Sequence, residues 1–145
     1  MKILEFYNNW DFLCRCLEPG KYASHIERWL QFYKSQQFYI IDGEDLKVDP
    51  VSVMNKLQHF LNVQPIVDYS KLLKYDKNKG FYCSLNGKKT KCLGKGKGRN
   101  YVPMDDKSKK FLLNYYRLYN EHLLKLLKRL GYAIPDWLES DLNDD

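Results

Sequence analysis

Lys79–Tyr101 reads KGFYCSLNGKKTKCLGKGKGRNY, and the rest of the chain is best read outward from it. Cys83 and Cys92 bracket a short loop with Asn86-Gly87 near its middle. Asn-Gly is a preferred centre for a tight hairpin turn because both residues tolerate positive φ. The first reading is a small hairpin pinned by a disulfide; the plain alternative is two free thiols that happen to be near each other. A closed loop of about ten residues would stabilise the fold by about 2.5–3 kcal/mol on chain-entropy grounds. Behind the second cysteine comes Gly94-Lys95-Gly96-Lys97-Gly98-Arg99. Glycines let a backbone approach a ligand with its amides, and Lys and Arg supply charge and bidentate donors for phosphate. Tyr82 and Tyr101 flank the loop, and their rings are suited to stack on a base.

Charge supports an anion site. Residues 71–101 carry nine lysines and Arg99 against the single acid Asp76, a local +9 in a chain of net +6. The excess is therefore local, as a surface that meets a polyanion or a phosphorylated small molecule requires; a merely solvated basic loop is the bland alternative. The loop is not G-x-x-x-x-G-K-[ST], so it is no Walker phosphate loop, and it is no dinucleotide fingerprint. A nucleotide and an RNA both remain coherent ligands at this point.

Downstream, Pro103 punctuates and Asp105 is a natural N-cap for a long helix over 106–130. Leu112, Tyr116, Tyr119, Leu123, Leu126 and Leu130 mark its buried side, and Gly131 is its C′ stop. The start of this helix lies close enough in sequence for its dipole to reinforce the anion site. Pro135-Asp136-Trp137-Leu138 then reads as a docking tryptophan before an acidic tail. Upstream, 65–78 reads as a connector. Asp49-Pro50 opens a helix with Met54, Leu57, Phe60 and Leu61 as its stripe, ending near Asn62 in the left-handed region. Gln37–Asp42, QFYIID, suits a buried strand. Lys21–Lys34 reads as a helix with Tyr22, Ile26, Trp29, Leu30 and Tyr33 on one face. His25 lies near Glu27 there, but a histidine on an amphipathic helix is more often a packing or hydrogen-bonding residue than an acid–base catalyst. Cys14 and Cys16 form C-x-C, without the second pair a metal site calls for, and read as core or partly buried thiols.

With 145 residues and 44% apolar content the chain is of single-domain size and can build a core. No stretch approaches 18 apolar residues, so none reads as a membrane span. MKILEFYNNWDFLCRC lacks the apolar centre of a signal peptide. A disulfide implies an oxidising compartment, so either the cysteines are reduced or the natural N-terminus is longer.

GKYASHIERWL, FYIIDGEDLKVDP and KGFYC…KTKCLGKGKGRNY, in this order and spacing, resemble the C-terminal half of the heparan sulfate sulfotransferases. The closing PDWLESDL is most similar to the heparan sulfate N-deacetylase/N-sulfotransferases rather than the 3-O-sulfotransferases. The resemblance covers Cys16 to Leu142. It implies an α/β fold: the C-terminal portion of a nucleotide-binding sulfotransferase, mostly helical, with one or two core strands and a disulfide-pinned hairpin. Across residues 1–145 it implies a partial sulfotransferase domain. It further implies sulfuryl transfer from 3′-phosphoadenosine 5′-phosphosulfate (PAPS) to the glucosamine nitrogen of heparan sulfate, without a metal.

Residue by residue, the resemblance implies nucleotide contacts from Tyr82 and from Lys97, Gly98, Arg99, Asn100 and Tyr101, and a Cys83–Cys92 disulfide. Tyr82 stands where the family usually has Trp, Asn100 where it has Lys, and the hairpin is about one residue shorter. Lys97 and Arg99 would neutralise the donor nucleotide, while Lys88, Lys89 and Lys91 would meet the sulfated polysaccharide. The family's phosphosulfate loop and its proposed catalytic groups match nothing in this chain, so no catalytic residue is assigned. The expectation is a C-terminal fragment that does not transfer sulfate alone, its full-length form a type II membrane protein of the Golgi lumen. The competing expectations are a 3-O-sulfotransferase relative or a non-catalytic polyanion- or RNA-binding module.

Overall fold

The computed structural model describes residues 13–64, 67–94 and 102–144. Two compact units emerge. One contains residues 13–38 and 103–144, the other residues 39–64, 67–94 and Val102.

The first unit is helical. A π-helical turn, Leu13–Leu17, and a 3-10 turn, Glu18–Gly20, lead into α1, Tyr22–Leu30. The long helix, which we number α5, runs Asp106–Leu130, and α6 runs Asp136–Asn143. Both α1 and α6 pack on α5. Asp105 caps α5 by accepting from the Ser108 amide at 3.0 Å. Gly131, at φ 76°, ends it. Gly131 N–H donates to the Lys128 carbonyl and Tyr132 N–H to the Leu127 carbonyl, which is the full Schellman pattern. The core consists of Leu17, Ala23, Leu123, Leu126, Leu127 and Leu138. Leu123 and Leu126 belong to the expected stripe. Leu127 joins them because a face wider than a heptad seam is enclosed from two sides. Tyr116 and Tyr132 tie the ends of this unit by donating to the Leu17 and Phe38 carbonyls at 2.8 and 2.7 Å.

Four expectations in this unit need correction. The helix expected to Lys34 ends at Leu30, where Phe32 and Tyr33 both turn their amides back to the Trp29 carbonyl at 3.0 Å. Its expected apolar face is largely outside: Tyr22, Trp29 and Tyr33 are each about half exposed, and the buried contact is made by Ala23. A small residue lets α1 approach α5 closely, and the large rings are left at the margin. The docking residue of the C-terminal segment is Leu138, fully buried, while Trp137 is only half-buried and the acidic run is the helix α6. Cys16 is an exposed free thiol, not a core one; the side chain of Cys14 lies outside the described residues.

The second unit starts with α2, Gly43–Val48, and α3, Pro50–Phe60. Asp42 and Asp49 cap them, accepting from the Glu44 and Ser52 amides at 2.9 and 3.1 Å. Asn62 follows α3 at φ 50°, as its side chain allows. Met54, Leu57 and Phe60 are half-buried as expected, but Leu61 is exposed and the inward positions are Val53 and Gln58. The strand expected over Gln37–Asp42 does not form: Gln37 closes the 3-10 turn Ser35–Gln37, and residues 38–42 join no ladder. Phe38 and Asp42 have extended backbone, yet no described strand pairs with the segment. β-forming side chains make a run extended, but only a neighbour makes it a strand.

The expected connector also holds structure: α4, Tyr69–Leu72, capped by Asp68, then β1, Leu73–Asp76. With β2, Phe81–Asn86, and β3, Lys89–Lys91, β1 forms a three-stranded antiparallel sheet in the order β1-β2-β3. The β2–β3 register pairs Asn86 with Lys89. The two-residue turn is therefore Gly87-Lys88, not Asn86-Gly87. Gly87 takes φ 60° and Asn86 and Lys88 do not have positive φ, which fits the type II′ pattern with glycine first.

Candidate nucleotide and polyanion site

The hairpin is anchored on β1. Register sets Tyr75 opposite Tyr82 and Lys74 opposite Cys83. Side chains alternate across a strand. Phe81, Cys83 and Leu85 thus share the face that includes the buried Cys83, and Tyr82, Ser84 and Asn86 share the other. Tyr82 is half-buried, and the Tyr75 ring supports it edge-on, with centroids 5.3 Å apart and planes at 70°. Such a pair fixes a ring at low entropic cost.

Cys83 and Cys92 are joined in a disulfide, their Cα atoms 4.6 Å apart, so the bonded reading of the cysteines holds. Cys83 is buried and Cys92 half-buried. Asp76 lies beside them, its Oδ2 3.7 Å from Cys92 Sγ. Both sulfurs are used in the bond, so this group offers no metal site. The other Asp76 oxygen accepts the Asn78 and Lys79 amides at 2.9 and 3.1 Å. That local turn ends at Gly80, φ 73°, whose N–H donates to the Asp76 carbonyl at 2.8 Å. Ser84 adds a hydroxyl bond to the Lys91 carbonyl at 3.0 Å.

Lys88, Lys89 and Lys91 stand exposed on the turn and on β3. Lys74, Lys77 and Lys79 are exposed along β1 and its turn. Lys71 is paired with Asp68 at 3.0 Å. The structure thus brings Tyr82, the disulfide and a lysine-rich edge together on one small sheet. Lys97, Gly98, Arg99, Asn100 and Tyr101 lie outside the described residues. Tyr75 and Asp76 were absent from the expectation. Their signal was Asp76 with Gly80 four residues on, a turn signature that makes a preceding strand reasonable.

The helix-dipole idea gains nothing from the α5 terminus itself. Asp105 already fills the first amides, its carboxyl held below the usual range chiefly by the Ser108 backbone bond, and Asp106 follows. His25 contacts the Glu18 carbonyl at 3.0 Å, so its Nε2 donates and the residue is structural. Glu27 pairs with Arg129 and His122 at 3.1 and 3.2 Å.

The domain model of the sulfotransferase family, "Sulfotransferase domain", matches residues 2–130. The chain belongs to that family. Among its relatives, it is 55% identical over 135 residues to the bifunctional heparan sulfate N-deacetylase/N-sulfotransferase of Drosophila melanogaster, covering 92% of this chain and 13% of the relative. It is 54% identical over 129 residues to bifunctional heparan sulfate N-deacetylase/N-sulfotransferase 4 of Mus musculus, and 50% over 131 residues to enzyme 1 of Homo sapiens. These alignments cover 88% and 90% of this chain, and 15% of each relative. The chain thus spans about one seventh of the length of these relatives.

Proposed function

We propose that this chain forms the donor-nucleotide side of a heparan sulfate N-sulfotransferase. The single carrying observation is Tyr82, held edge-on by Tyr75 on a disulfide-closed hairpin that is followed in sequence by the basic run of residues 94–99. In this reading the Tyr82 ring stacks on the adenine of PAPS. Lys97 and Arg99 neutralise its phosphates, the backbone at Gly98 permits close approach, and Asn100 and Tyr101 complete the contact. Lys88, Lys89 and Lys91 hold the sulfated polysaccharide. In the transfer the bond between sulfur and the bridging phosphate oxygen breaks, a bond to the glucosamine nitrogen forms, and the amine loses a proton. The adenosine bisphosphate leaves. This chain contributes binding and charge neutralisation to that step. The general acid–base and bridging-oxygen roles are assigned to none of its residues, and these 145 residues alone are expected not to transfer sulfate.

The disulfide suits an oxidising compartment, in keeping with the Golgi lumen. Among the described residues no helix is long and apolar enough to cross a membrane.

The decisive experiment pairs nucleotide binding with kinetics. 3′-Phosphoadenosine 5′-phosphate should bind the chain saturably and compete with a heparin oligosaccharide only in part. In a complete enzyme carrying these residues, Lys97→Ala or Arg99→Ala should raise the donor KM about tenfold or more, each removing a charge-assisted phosphate contact. Tyr82→Ala should act in the same direction. An unchanged donor KM refutes the assignment. Binding that ignores the adenosine and falls steeply with salt supports the RNA- or polyanion-binding reading instead.

A further inference from the structure

A cleft is lined by residues of the unit of residues 13–38 and 103–144, and the nucleotide reading makes no use of it. It encloses about 450 Å3, and its walls include Gly20, Tyr22, Tyr116, Asn120, Trp137 and Asp141. Tyr22 and Trp137 meet edge to face, centroids 6.4 Å apart and planes at 73°, so they form an aromatic corner. Tyr116 is a third ring, pinned because its hydroxyl donates to the Leu17 carbonyl. Gly20 leaves room for that ring; a Cβ there would stand 2.6 Å from the Tyr116 hydroxyl.

Asn120 is 7% exposed, yet among the described residues its side-chain amide has no hydrogen-bond partner. No fully buried side-chain polar atom in the described residues lacks a partner, so the Asn120 amide opens on the cleft it lines. Asp141 adds a carboxylate, half-buried. The neighbouring charges are Lys109 and Asp144, bonded to one another at 2.8 Å. They offset each other, and Asp141 is left as the net charge at this end of the cleft. Aromatic faces and an anion attract the same ligand class, a cation with an apolar body.

We propose that this cleft binds a protonated organic amine, its body against Tyr22, Tyr116 and Trp137, its ammonium facing Asp141 and donating to the Asn120 carbonyl. The proposal does not rest on the nucleotide reading and stands or falls separately.

The test uses the full 145-residue chain and cyclohexylammonium as probe, with cyclohexanol as the neutral counterpart, read by NMR at the Trp137 indole N–H. The expected result is a saturable shift with the amine and at least tenfold weaker binding of the alcohol. Asp141→Asn and Asn120→Leu should each weaken the amine at least tenfold, with the amide spectrum confirming the fold. Should a variant not fold, the wild-type chain titrated with pH takes its place. Burial, opposed by Lys109, raises the Asp141 carboxyl above its ordinary 3.8, so affinity should fall as pH drops through a midpoint above that value. Equal binding of amine and alcohol, pH-independent affinity, or no response at Trp137 overturns the proposal.

Discussion

Asp76 illustrates how one side chain serves two structures. One oxygen closes the turn over Asn78 and Lys79, and the other lies 3.7 Å from Cys92 Sγ. Thiol–disulfide exchange needs an incoming thiolate, and Cys83 is buried, so attack must come at Cys92. A carboxylate at about 4 Å repels that anion by about 1 kcal/mol or more even when well solvated. Asp76→Asn retains the amide-accepting oxygen and removes the charge. Reduction of the hairpin by glutathione should therefore run about fivefold faster in this variant, measured by thiol trapping. Equal rates in the two proteins would show that the carboxylate shields nothing.

At the scale of elements, helix ends decide most of what is observed. Asp105 caps α5 through Ser108, and Lys109 in its first turn bonds Asp144 beyond the end of α6. The Asp105 carboxyl is lowered chiefly by the Ser108 backbone bond and that of Asp144 by its bond to Lys109. A depressed carboxylate stabilises the fold above its unfolded value and loses that contribution as pH falls through the folded one. Protection factors at Ser108 and Lys109, taken relative to the intrinsic exchange rate at each pH, should therefore fall as the pH drops below 3.8, while those at Leu126 and Leu127 hold. Asp105→Ala should fray the same turn at neutral pH, read as lost amide protection at Ser108. These caps were legible in the sequence because they are local: Asp49-Pro50, Asn62, Asp105 and Gly131 each act through bonds a few residues away. The strand expected over Gln37–Asp42 does not form because a strand depends on a partner distant in sequence. β1 was overlooked because LKYD is short and half polar. The hairpin and its disulfide were readable from the sequence, whereas the Tyr75–Tyr82 ring pair follows only from the β1–β2 register.

Over the molecule as a whole, apolar burial is unequal. The unit of residues 13–38 and 103–144 holds Leu17, Ala23, Leu123, Leu126, Leu127 and Leu138, while the buried apolar side chains among the described residues of the other unit are Pro50, Val53 and Cys83. A unit with so little core relies on its cross-link. Reducing Cys83–Cys92 should abolish amide protection in β1, β2 and β3 while α5 keeps its own, a difference hydrogen exchange resolves directly. Leu138→Ala acts on the other unit, where removing a fully buried leucine should cost about 2–5 kcal/mol; protection at Leu123 and Leu126 would fall accordingly. Simultaneous loss of both sets on reduction alone would contradict this division. The Gly20–Tyr116 contact has a different kind of consequence. With 2.6 Å between the missing Cβ and the phenol oxygen, the two positions divide one fixed volume. A mutation that enlarges position 20 must displace the Tyr116 ring unless position 116 has already shrunk, so inheritance at the two sites is coupled and the order of the changes matters.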